Sequence, residues 1–274
     1  MKKGKLFIGL VSAFVLSATM LVGCGGTDTP PAEETNDDAE AITFIVGYDD
    51  QYPPYGFVDD DGNVTGFDIE LAQEVCNRNG WEFEADVIPW DAKDALLDSG
   101  AISCIWNGFT MEGREDLYTF SDPYMKNGQV VVVKADSGIT DLAGLEGKNV
   151  LTQVASAAYD VLNGEKADVL DTFSLETRDT YNTAFTELET GAYDAVACDL
   201  SIAEYQLAKN PGTYVVLEET LADESYAVGF KPGNDEMATT VSETLKAMND
   251  DGFVEKLCEK YAEYGISYEN WMIK

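Results

Sequence analysis

A chain of 274 residues with 51 acidic side chains, 17 basic ones and no histidine carries a formal charge of −34. That charge repels phosphate backbones and argues against any nucleic-acid partner. The missing imidazole removes Ser-His and Cys-His nucleophile pairs and the usual catalytic zinc sites, while lysine and carboxylate chemistry stay open.

The chain begins with Lys2, Lys3 and Lys5, followed by an uncharged apolar run from Leu6 to Val22 that ends in Leu21-Val22-Gly23-Cys24. This pattern predicts a secretory signal over 1–23 closed by a lipobox, with Cys24 lipidated as the first mature residue. The competing reading is an uncleaved span, since the run is near the ~18-residue lower limit for one. The placement of Cys24 favours the lipoprotein, held by its lipid on the extracytoplasmic face of a membrane. Loss of 1–23 removes three lysines and no acid, leaving −37. Residues 25–41, GGTDTPPAEETNDDAEA, have no large apolar side chain and read as a disordered tether.

The remaining ~230 residues suffice for one large or two modest domains. Ile42 to Val46 predicts a buried strand, and Tyr52-Pro53-Pro54-Tyr55 turns the following segment into a rigid loop. Asp59 to Asn63 predicts a tight turn whose spacing does not fit a calcium loop. Apolar residues at 67, 71, 72, 75 and 76 predict a helix over 67–79, stopped at Gly80. Trp81 to Val87 alternates as a half-exposed strand, a helix follows over about 91–98, and Ile102 to Trp106 is a buried strand.

The stretch from Ile105 to Tyr124, IWNGFTMEGREDLYTFSDPY, holds Arg114, one of three arginines in the chain. A guanidinium between a small-residue loop and Tyr118, Phe120 and Tyr124 suits bidentate capture of a carboxylate. The bland alternative pairs it with Glu112, Glu115 or Asp116 on a solvated face.

Further strands are expected at 130–133, 150–151, 169–173, 194–198, 214–217 and 226–230. Helices are expected at 142–147, from a Ser156 cap to about 162, and at 180–189, 200–208, 234–249 and 253–264. Such alternation predicts an α/β fold with largely parallel sheets, which bind ligands at strand carboxyl ends. Asp49, Gly108, Ser156 and Asp199 all fall at or just past such ends. Cys76, Cys104, Cys198 and Cys258 lie in apolar segments and predict no bridge. No Gly-rich phosphate loop is present, so nucleotide binding would belong to another subunit.

The segment Gly66-Phe67-Asp68-Ile69-Glu70-Leu71, with Val75, Cys76 and Asn79 behind it, resembles the G-F-D-x-[DE]-L signature of family 3 extracellular solute-binding proteins, receptors of polar amino-acid ABC importers. YPPYGF at 52–57, FSDPY at 120–124, LAGLEGK at 142–148, ELETGAYDAVACD at 187–199 and GFKPGN at 229–234 extend the resemblance, in family order, over about 42–264. It implies a two-lobed periplasmic-binding-protein-like fold of type II, with two crossing hinge strands and a ligand cleft between lobes. Lobe 1 would be 42–128 plus 226–274, and lobe 2 would be 129–225.

The resemblance also implies roles for single residues. Arg114 matches the arginine that forks the ligand α-carboxylate, Thr110 the assisting hydroxyl, Gly108 the carbonyl that accepts from the α-amino group, and Asp199 the carboxylate that pairs with it. Ser156 sits at the helix start that meets the carboxylate from the second lobe. Tyr52 and Trp90 match the aromatic walls, and Asp49 a side-chain-reading position. Two departures stand out: three rather than four residues separate Thr110 from Arg114, and Ala155 and Ala157 replace residues that commonly donate.

The implied function is capture of a free polar L-amino acid by a monomeric, non-enzymatic receptor that uses no cofactor or metal. The receptor would deliver its ligand to a permease with a separate ATPase subunit. Asp49 and the charge lean toward a ligand side chain with a donor or positive charge, with cystine open. The alternatives are a sensory lipoprotein with the same ligand chemistry, and a cyclic-acid dehydratase on the same fold. Unlike a receptor, the dehydratase would turn its ligand over.

Overall fold

The computed structural model describes residues 42–59 and 61–274. The expected signal, Cys24 and the tether lie outside these residues.

The chain enters through β1 (Thr43–Tyr48), forms a small ribbon of β2 (Gln51–Tyr52), β3 (Gly56–Val58) and β4 (Val64–Thr65), and continues into α1 (Phe67–Asn79). Then come β5 (Glu82–Val87), α2 (Lys93–Ser99), β6 (Cys104–Ile105) and β7 (Thr119–Phe120). The ten-residue β8 (Met125–Lys134) leads into β9 (Asn149–Gln153), α3 (Ala157–Asn163), α4 (Ala167–Leu170) and β10 (Ser174–Arg178). After these come α5 (Tyr181–Thr190), β11 (Ala195–Asp199), α6 (Leu200–Lys209) and β12 (Tyr214–Val216). β13 (Ala222–Tyr226) returns beside β8, and β14 (Gly229–Phe230), α7 (Asp235–Asp250) and α8 (Phe253–Tyr261) follow.

Two main sheets result. The first has the order β5-β1-β6-β14-β7, and the second β10-β9-β11-β8-β12 with β13 also on β8. Both are mixed, contrary to the expectation of largely parallel sheets. β1 pairs in parallel with β5 and β6, and β9 with β10 and β11, but β14 in the first sheet and β8 in the second pair antiparallel with their neighbours. The reason is connectivity: β8 and β13 form an antiparallel pair from Met125↔Tyr226 to Gln129↔Ala222, so both enter the second sheet against its parallel strands.

Helices cover both faces of each sheet. Phe44 and Val46 pack with Phe67, Leu71 and Val75 of α1 and with Val241 and Leu245 of α7. The opposite face meets Leu97 through Ile105 and Phe109. In β8 the pleat sends Val130 and Val132 toward the cluster that holds Phe185 and Ile202, while Val131 and Val133 meet Ala158 and Leu162 of α3. Each such side chain contributes about 1.5–3 kcal/mol when fully buried. Cys76, Cys104, Cys198 and Cys258 are buried free thiols.

Three local expectations are corrected. The loop expected after β1 pairs as β2 and β3, because the Pro-Pro turn brings Gln51 opposite Phe57. The strand expected at 169–173 is the short helix α4, and the true strand is β10, five residues on. β10 lies at the sheet edge with little apolar character beyond Leu175, and Arg178 turns aside to bond Glu187. The strand expected at 226–230 is two strands, of which β13 carries Asp223, Glu224 and Ser225 and so shows no apolar run. The Asp59 turn forms as expected, with its carboxylate accepting from the amides of Asp61 and Asn63 at 3.0 and 2.8 Å.

Candidate functional site

The order β5-β1-β6 places the first sheet's switch point at the carboxyl ends of β1 and β6. β9 and β11 end opposite them. A narrow cavity lies between these ends, bounded by Tyr52, Trp90, Gly108, Thr110 and Arg114 from the first side. Gln153, Ser156, Ala157 and Asp199 bound it from the second. Larger hollows lie elsewhere, among them one by Phe120, Ser242 and Lys246 and one by Phe57, Tyr205 and Tyr264, and neither of these two brings a buried arginine together with a buried carboxylate.

Arg114 is 7% exposed, so the solvated-face reading fails. Its Nη2 donates to Asp160 Oδ2 at 2.7 Å, its Nη1 to the Thr110 carbonyl at 3.4 Å, and its guanidinium lies 5.0 Å from the Phe109 ring centroid. The short Thr110-to-Arg114 spacing is accommodated by a turn in which Arg114 N–H donates to Met111 O at 3.0 Å and Gly113 takes a φ of 78°.

Asp199 ends β11 and precedes α6, yet its side chain makes no cap for that helix. Its Oδ1 instead accepts from Gln129 Nε2 at 2.8 Å, Asn127 Nδ2 at 3.2 Å and Tyr226 OH at 3.0 Å. The Tyr52 ring lies against Tyr181 with centroids 6.0 Å apart, and its hydroxyl, beside Asp199, titrates well above the ordinary range because it is buried. Trp90 opens a 3₁₀ turn and meets Phe109 edge-on at 5.9 Å.

Gly108 has a φ of 58°, and an added Cβ would come within 2.9 Å of the Tyr52 ring, so the wall requires glycine here. Its N–H donates to Asp68 Oδ2 at 2.6 Å, and Tyr124 OH donates to the same oxygen at 2.8 Å. Burial pushes the Asp68 carboxyl up to about 7 against the pull of those donors. Asp68 thus contributes stability in full below its ordinary value of 3.8 and loses it as pH rises through about 7. The melting temperature is expected to be higher at about pH 5.5 than at about pH 8.5, with the difference reduced in Asp68→Asn. An unchanged difference in that variant would contradict the assignment.

Ser156 caps α3, its Oγ accepting from Tyr159 N–H at 3.2 Å. Asp49 stands one residue behind the cavity. Its Oδ2 accepts from Gln153 Nε2 at 2.7 Å, and Gln153 forms the wall. Seven of the eight residues singled out from sequence therefore surround one cavity, and Asp49 reaches it through a partner.

Gln153, Asp160 and the group behind Asp199 were not singled out. Gln153 ends β9 and Asp160 lies one turn beyond Ser156, so the rules that pointed to Ser156 reach both. Contacts across the cavity hold its sides together: Asp49 to Gln153, Arg114 to Asp160, and Lys93 Nζ to the Ala155 carbonyl at 3.4 Å. Ala155 has a φ of 53°, unlike any other described non-glycine residue.

Residues 44–264 match the family model of bacterial extracellular solute-binding proteins, family 3. The chain belongs to this family. As a family 3 protein it is 31% identical to the L-cystine-binding protein TcyJ of Escherichia coli (strain K12), over 81% of this chain and 83% of that one. It is 27% identical to the arginine-binding extracellular protein ArtP of Bacillus subtilis (strain 168), over 95% and 98%. Its fold matches an ABC uptake transporter substrate-binding protein from Streptococcus pneumoniae solved with bound histidine, at TM-score 0.79 and 29% identity, over 82% and 94%.

Proposed function

We propose that this family 3 protein is the amino-acid-binding component of an ABC uptake transporter, closing around a free polar L-amino acid without turning it over. The observation that carries this reading is a small cavity with a buried arginine at one end and a buried aspartate at the other. A free amino acid has the complementary pair of charges, and in a dry cleft both are worth more than in water.

In this reading Arg114 and Thr110 take the α-carboxylate, and the Gly108 carbonyl and Asp199 take the α-ammonium. Tyr52 and Trp90 wall the side chain, and Asp49, acting with Gln153, reads its far end. Ser156 supports the carboxylate end. Lobes of 42–128 plus 226–274 and of 129–225 hinge on β8 and β13. The relatives whose names specify cystine, arginine and histidine fit a polar side chain with a hydrogen-bond donor or a positive charge. The protein works as a monomer, held on the extracytoplasmic face by lipid on Cys24, and hands its ligand to a permease with a separate ATPase.

A thermal-shift panel of the standard L-amino acids, cystine and ornithine on residues 25–274 tests the reading. Ligands that bind the native state raise the melting temperature, so one or a few clear shifts are expected. A flat panel on protein freed of any carried ligand would contradict it. Blocking lipidation with Cys24→Ser is expected to release the protein from membranes, and continued retention would point to a true span.

A further inference from the structure

Behind the aspartate end of the cavity lies a second buried carboxyl group that the reading above leaves without a role. Glu224 is 7% exposed and Asp199 4% exposed. The two share donors: Asn127 Nδ2 bonds both Asp199 Oδ1 and Glu224 Oε1, and Gln129 Nε2 bonds the same two oxygens at 2.8 Å each. Two donors shared by the same two oxygens keep the carboxyl groups close, and two buried like charges so placed disfavour full ionisation, so one of them holds a proton.

The fold enforces this proximity. The register Asn127↔Glu224 and Gln129↔Asp199 sends these side chains from three neighbouring strands toward one point. No described ion pair reaches either carboxyl group, and Arg114, which lines the same cavity, pairs with Asp160. Lys126 is exposed and pairs with Ser225, so with Asp223 it projects from the opposite side of the ribbon, while Glu112 bonds Ser225. Tyr52, Tyr55, Tyr181 and Tyr226 and the Cys198 thiol, the other titratable groups near Asp199, are all kept neutral by burial. Burial first, and the Asp199 charge second, push Glu224 well above the usual carboxylate range.

We propose that Glu224 is a positioning residue for the ammonium end of the site: as a neutral acid it shares the Asn127 and Gln129 donors that hold Asp199 in place, and it gives up its proton when a ligand ammonium docks. The inference rests on the amino-acid reading of the cavity. In the step, the Glu224 O–H bond breaks, the proton passes to solvent, and the ammonium charge replaces it beside two ionised carboxylates. Affinity then rises with pH, by up to about tenfold per unit, across the window in which the empty protein holds the proton and the complex does not.

Glu224→Gln keeps the shape and the acceptor oxygen shared with Asn127 and Gln129, and cannot ionise. The test is calorimetric titration of the wild type and this variant with L-arginine, L-histidine, L-glutamine and L-cystine, in buffers of different ionisation enthalpy. Wild type is expected to release a fraction of a proton on binding, and Glu224→Gln none, with an affinity that no longer varies with pH. Release that is equal in both proteins, or absent from both, overturns the proposal. If none of the four amino acids binds, the amino-acid reading falls and the docking step with it. The infrared carbonyl band of a protonated acid in the empty protein still decides the proton's location. Loss of part of that band in Glu224→Gln, leaving the contribution of the buried Asp68 carboxyl, supports a neutral Glu224, and a band unchanged in the variant overturns that assignment.

Discussion

Arg114→Ala is expected to weaken amino-acid binding by a factor of about 30 or more while leaving the fold in place. Removing one partner of a desolvated charge pair costs about 2–5 kcal/mol, which is roughly 30- to 5,000-fold. The structural contacts of Arg114 are modest by comparison. Asp160 is 56% exposed on its side chain, so that ion pair is worth about 0–1 kcal/mol, and the contact with Phe109 adds a similar amount. Arg114→Lys keeps the charge, loses the fork and should fall between the two. Calorimetry on folded variants checks this, and near-wild-type affinity in Arg114→Ala would remove the carboxylate end from the site.

Gly66→Ala is expected to have the largest effect on stability. Gly66 has a φ of 135° and a ψ of 161°, and a Cβ there would lie 2.2 Å from the Tyr55 carbonyl oxygen. That backbone region belongs to glycine, and the blocking atoms are backbone, fixed by the bonds from Asp68 N–H to Tyr55 O at 3.1 Å and Phe67 N–H to Pro54 O at 2.8 Å. Relief requires the start of α1 to move, at about 3 kcal/mol or more, which lowers the melting temperature by roughly 6–12 °C for a body of this size. A fall of less than about 2 °C would contradict the strain argument. Binding should suffer as well, because Asp68, two residues on, holds Gly108 at the cavity wall.

This chain of contacts gives physical content to the motif Gly66-Phe67-Asp68. Glycine permits the turn, Phe67 fills the core beneath α1, and Asp68 reaches across to the loop after β6. The helix over 67–79 was legible to the residue because its apolar stripe, its first-turn acids and its Gly80 stop agree. The strands that end just before Asp49 and at Asp199 were legible because they are short, buried and apolar.

β13 was not legible. Its central residues are polar because they serve the space behind Asp199 rather than a hydrophobic face, so a rule built on apolar pattern passes over them. The shift from 169–173 to β10 has the opposite cause: Val169 and Leu170 are apolar enough to suggest a strand, but they pack from the helical turn α4. The contacts of Arg114 with Asp160, and of Asp49 with Gln153, depend on how the two sheets face each other, and no local pattern encodes that pairing.

The most direct measurement compares, by calorimetry, the amino acid that gives the largest shift in the panel with its methyl ester and its N-acetyl derivative. The ester removes the charge meant for Arg114, and acetylation removes the charge meant for Asp199. Each derivative is expected to bind at least about 100-fold more weakly than the parent amino acid. Binding of either derivative as tightly as the parent would contradict the placement of a zwitterion between Arg114 and Asp199.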